Sequence, residues 1–103
     1  MYKRQEVGRS AVRIVEGPAP ATPHVIAPSS FNEAQSIGDR FKASQPVIVN
    51  LQGADRDLRR RLVDFASGLC YALGGKMERA ANEVYLLTPA DVEVTARDRQ
   101  GFS

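Results

Sequence analysis

The chain has 103 residues, 43% apolar and 25% charged, with no tryptophan. That is the composition of one globular domain with a modest core, and it excludes multi-domain architectures, long solenoids, large catalytic barrels and disorder throughout. Fourteen Lys and Arg against twelve Asp and Glu give a net charge of +2. The excess sits before His24, where Lys3, Arg4, Arg9 and Arg13 face only Glu6 and Glu16, so the remainder is neutral and the basic pI says little about nucleic acid. Cys70 is the one cysteine, which excludes an internal disulfide. The first ten residues lack the apolar stretch of a signal peptide, and no apolar run is long enough for a membrane span. A soluble, cytoplasmic protein is expected.

Residues 1–23 carry Gly8, Gly17, Pro18, Pro20 and Pro23 without helical periodicity and read as a flexible leader. A short strand is predicted at His24-Val25-Ile26-Ala27, ended by Pro28. Ser30 and Glu33 have capping-box spacing, and Ala34, Ile37, Gly38 and Phe41 recur at helical intervals, which predicts a first helix over 31–43. Val47-Ile48-Val49-Asn50-Leu51 is β-branched and nearly continuous in apolar character, as in a central strand buried on both faces. Asp55 and Asp57 suit the positive end of a second helix. Leu58, Leu62, Phe65, Leu69 and Leu73 form its core stripe, and Gly74-Gly75 ends it. Strands are predicted at 76–80, 83–88 and 92–95, with a polar tail over 96–103. The order β-α-β-α-β-β-β predicts an α/β (α+β) two-layer sandwich, with two helices on one face of a small four- to five-stranded mixed sheet.

Catalytic groups are scarce. His24, the only histidine, reads as a solvated side chain, and Cys70 as a small buried one with no base linked to it. No Cys and His set matches a zinc site, and neither a cofactor nor a metal is expected. Gly74-Gly75-Lys76 follows a helix and leads into a strand, the reverse of a phosphate loop. Arg59-Arg60-Arg61 resembles a nucleic-acid patch, but successive helical residues diverge by about 100°, so three cannot share one face. Asp55, Asp57 and Asp64 lie close enough to offset them.

Two features suggest contact with other molecules. Gly68 lies inside the second helix, among Ser67, Cys70, Tyr71 and Ala72. This small, semi-apolar face admits either a close-packed helix of a second protomer or tight packing against the first helix. The run Lys76-Met77-Glu78-Arg79 faces Val84-Tyr85-Leu86-Leu87. It fits either an ordinary half-exposed hairpin or a platform for an amphipathic, acidic peptide.

Taken in order, Val47–Leu51, Arg61-Leu62-Val63-Asp64-Phe65-Ala66-Ser67-Gly68, Gly74–Arg79 and Val84-Tyr85-Leu86-Leu87-Thr88-Pro89 resemble the core domain of the SepF family of bacterial cell-division proteins. Pro28–Gln35 resembles the family's start of helix one, and the likeness covers about residues 24–95. It implies a homodimeric adaptor, not an enzyme, that binds the C-terminal tail of FtsZ, tethers or cross-links its filaments at mid-cell and promotes septum assembly. Lys76 and Arg79 are then the expected cations of the tail groove, with Met77 and Tyr85 as its apolar wall. Val63, Ser67, Gly68 and Tyr71 become the self-association face, with polymerisation beyond the dimer left open. The family's N-terminal amphipathic helix has no counterpart in the leader, so membrane contact is expected only through a helix upstream of Met1. No nucleic acid is expected as a partner; the alternative function is a small nucleic-acid-binding domain using Arg59, Arg60 and Arg61.

Overall fold

The computed structural model describes residues 19–20 and 22–94. Most of the expected leader and the whole tail from residue 96 lie outside the described residues. The elements are β1 (Ala19–Pro20), β2 (His24–Ile26), a 3-10 turn (Phe31–Glu33), α1 (Ala34–Lys42), β3 (Val47–Asn50), α2 (Arg56–Leu73), β4 (Lys76–Ala81), β5 (Val84–Thr88) and β6 (Val92–Glu93). Four strands form the main sheet in the order β2-β3-β5-β4. β2 runs parallel to β3, as a βαβ crossover through α1 requires, and the other pairs are antiparallel. The two-layer α/β sandwich predicted from the element order is the observed fold.

The central pair is buried on both sides. Val47, Ile48 and Val49 of β3 and Val84, Leu86 and Leu87 of β5 are each at most 2% exposed. Val47, Val49 and Leu87 face the helices, where they meet Ala34, Ile37 and Phe41 of α1 and Leu62, Ala66 and Cys70 of α2. Ile48, Val84 and Leu86 face the other way and pack with Val94. Burying a side chain of this size contributes about 1.5–3 kcal/mol, so these six positions anchor the sheet.

The helix ends follow local chemistry. Asp55 caps α2 by accepting a hydrogen bond from the Leu58 amide at 2.8 Å. Gly74 ends α2 in the left-handed conformation, φ 73°, and the Gly75 amide donates to the Cys70 carbonyl at 2.9 Å. Gly75 itself answers to space. A Cβ there would lie 2.6 Å from the Thr88 carbonyl oxygen and collide with the Phe41 ring.

Several expectations need correction. The capping box shifts by one residue: Ser30 makes no side-chain cap, and the Ser29 amide and hydroxyl donate to Glu33 Oε2 at 2.7 and 3.0 Å. The cause is the 3-10 turn, whose Glu33 amide bonds the Ser30 carbonyl at 3.2 Å and changes the phase of the start. Val92–Glu93 does not extend the main sheet but pairs in parallel with Ala19–Pro20, part of the expected leader. Leu73 leaves the core stripe and is 45% exposed, at the rim of a concavity shared with Phe41, Lys42 and Pro89.

Two glycines should respond oppositely to alanine. Gly75→Ala overpacks the α1–β5 contact and is expected to lower stability by about 1–3 kcal/mol. Gly68→Ala meets nothing within 4 Å and should raise helix stability by about 0.5–1 kcal/mol. Urea unfolding of both variants checks the pair.

Candidate functional site

β4 is an edge strand, paired with no strand but β5 among the described residues. Its register decides which side chains share a face. Met77 lies opposite Leu87 and Arg79 opposite Tyr85, so these four stand on the helix side of the sheet. Met77 and Tyr85 are half-buried against the core there, while Arg79 is exposed. Lys76 lies opposite Thr88 and Glu78 opposite Leu86, on the other side. Lys76 lines a separate concavity with Thr88, Val92 and Glu93. The expected set is thus divided: Met77, Arg79 and Tyr85 come together and Lys76 does not join them, because strand alternation reverses it.

The wall beside β4 is α2. The Ser67 hydroxyl donates to the Met77 sulfur at 3.5 Å, which joins a residue expected in the self-association face to one expected in the groove. Nearer the hairpin turn, Arg56, Arg59, Arg60, Val63, Asp64 and Glu83 line a shallow concavity. The result is an apolar floor with cations at its margin, open to solvent along the strand edge.

The outer face of α2 is distinct from its core stripe. Val63, Ser67 and Tyr71 follow one another by four residues, a ridge along the helix, and Gly68 adjoins it. Tyr71 is 91% exposed, Ser67 and Gly68 are exposed, and Val63 is half-buried against the core. Gly68 has no neighbour that a Cβ would meet, so it is not the point where the two helices pack. That contact falls to Gly38 of α1, whose Cβ would lie 3.4 Å from the Phe65 ring.

The arginine run is dispersed as helical geometry requires. Arg59 Nη1 donates to the Ala54 carbonyl at 2.7 Å, and its Nε lies 3.6 Å from Glu83 Oε1. Arg61 stacks over the Phe31 ring at 4.2 Å, on the side where Phe31 meets Phe65 edge-on. His24 donates its backbone amide to the Pro46 carbonyl. Among the described residues no three His, Cys, Asp or Glu side chains converge to hold a metal, and no helix is long and apolar enough to cross a membrane. The hydrogen bonds from Ser29 hold the Glu33 carboxyl below the usual glutamate range.

Residues 24–94 match the profile of the family described as Cell division protein SepF. The chain belongs to the SepF family. It is 54% identical over 89 residues to the cell division protein SepF of Rubrobacter xylanophilus, a match covering 86% of this chain and 48% of that protein. Against the SepF of Desulfitobacterium hafniense it is 42% identical over 78 residues, covering 76% and 52%. The chain therefore spans about half the length of the curated relatives it matches. Among solved structures, the SepF-like protein from Pyrococcus furiosus superposes with a TM-score of 0.61 at 17% identity, over 82% of this chain and 100% of that one. The SepF-like protein from Archaeoglobus fulgidus gives 0.58 at 16%, over 72% and 90%. At those identities the likeness is one of fold.

Sequence reasoning missed the residues that fasten this edge, Gln52, Asn82 and Glu83. Asn82 stands at the predicted strand junction, and a turn asparagine was the available signal. Cys70 was read correctly as buried: burial raises its thiol pKa, and the thiol contacts the Lys76 carbonyl at 3.5 Å. Because the thiolate is the nucleophile, alkylation of Cys70 by iodoacetamide at pH 8 should be more than about tenfold slower in the native chain than in urea. Mass spectrometry of quenched samples reads the two rates.

Proposed function

We propose that this SepF chain is a non-enzymatic division adaptor that binds the C-terminal tail of FtsZ along β4 and self-associates through the outer face of α2. The observation that carries the first part is the β4–β5 register, which sets Arg79 beside Tyr85, and Met77 two residues away, on an exposed sheet edge. The FtsZ tail, as the family resemblance implies, mixes acidic and apolar residues. Tyr85 and Met77 remove its apolar side chains from water, and Arg79 answers its carboxylates. Lys76, on the reverse side of β4, adds positive potential without touching the groove. With two such edges in a dimer, one adaptor holds two tails, and linking gives avidity toward a filament that a single weak site lacks. The division site, on the cytoplasmic side of the membrane, is where such a linker acts.

For self-association the support is the exposure of Tyr71 and the open space at Gly68. A missing side chain beside an exposed aromatic lets a symmetry-related helix approach closely.

Two outcomes are expected. Arg79→Glu combined with Tyr85→Ala abolishes binding of a synthetic FtsZ tail peptide in titration calorimetry; unchanged affinity would place the groove elsewhere. Gly68→Leu fits the open space of the single chain, so it stays folded by circular dichroism but shifts to monomer in light scattering. An undisturbed dimer would remove α2 from the interface.

A further inference from the structure

The turn joining β4 to β5 is fastened from several directions. The Leu51 amide donates to the Glu83 carbonyl at 2.7 Å, and the Gln52 side-chain amide donates to the Asn82 carbonyl at 3.0 Å. Arg59 of α2 reaches Glu83 while its Nη1 is tied to Ala54. Glu83 has φ 56°, a conformation that few residues other than glycine adopt, and these bonds from the loop after β3 and from α2 hold it there. The turn so fixed presents one side chain toward the groove: Asn82 Oδ1 accepts a hydrogen bond from Arg79 Nη2 at 3.0 Å.

We infer that Asn82 is a positioning residue for peptide recognition, holding the Arg79 guanidinium in the orientation that an acidic ligand meets. This rests on the peptide-binding reading above and adds a residue to it. The Arg79–Asn82 bond is exposed, so it adds little to folding; its consequence is restricted freedom for a long side chain. A guanidinium carries five donors, and Asn82 occupies one of them, leaving the rest for a carboxylate. The acceptor is a neutral amide, so Arg79 keeps its full charge, which a carboxylate at position 82 would offset. Ligand binding then immobilises a side chain that has already lost part of its rotamer freedom.

The test is a double-mutant cycle on the purified chain, read by calorimetry with a synthetic FtsZ tail peptide. Asn82→Ala, and Asn82→Ser as a turn-compatible second variant, are expected to weaken binding about three- to tenfold with native circular dichroism. In an Arg79→Ala background the same substitutions should change nothing further. Unchanged affinity for Asn82→Ala in the native background overturns the inference, and so does an equal loss in the Arg79→Ala background, which would mean that Asn82 acts on the turn and not on Arg79. If Arg79→Ala alone leaves affinity intact, the groove reading fails, and the positioning role falls with it.

Discussion

The structure depends on one antiparallel pair, β3 and β5, most of whose side chains are withdrawn from water on both faces of the sheet. Sheets of this kind tolerate no register slip, because a shift of one residue exchanges the two faces and every packing partner with them. That constraint passes outward. β5 fixes β4, so the alternation along β4 is decided by packing at the centre. Which of Lys76, Met77, Glu78 and Arg79 looks toward α2 is therefore a property of the core, although all four lie at the edge.

The same hierarchy explains how a small domain leaves a helix face and a strand edge exposed without loss of stability. α2 commits Leu62, Ala66 and Cys70 fully to the core, and its opposite face is free to carry a glycine and an exposed tyrosine. β4 draws its stability from β5 and from Met77 packing under α2, leaving its outer edge unpaired among the described residues. Exposed strand edges invite association, and charged side chains such as Lys76, Glu78 and Arg79 restrain indiscriminate pairing.

Much of this was legible in the sequence, for a physical reason: the helices and the central strands are specified by apolar periodicity, which burial enforces residue by residue. Ala34, Ile37, Gly38 and Phe41 were placed on one buried stripe, and all four are buried. Where local chemistry has near-equal alternatives, the reading slipped. Ser29 and Ser30 both precede Glu33 with an available hydroxyl, and the 3-10 start chose the first. Leu73 continues the Leu stripe in sequence but falls in the last turn of α2, where it is left half-exposed. The division of Lys76 from Arg79 follows from strand alternation, which a list of residue types along a hairpin leaves out of account. The Arg79–Asn82 hydrogen bond was not legible, because periodicity carries no trace of a side-chain contact between residues three positions apart across a bulged register.

The proposed binding mode sets an acidic, apolar peptide on the helix side of the β4–β5 edge. The most direct measurement is two-dimensional amide NMR of the isotope-labelled chain during titration with the FtsZ tail peptide. Shift changes are expected to concentrate at Met77, Arg79, Asn82 and Tyr85 and along the facing flank of α2 near Val63 and Ser67. Changes confined to α1 and β2, or a spectrum unmoved at saturating peptide, would contradict it.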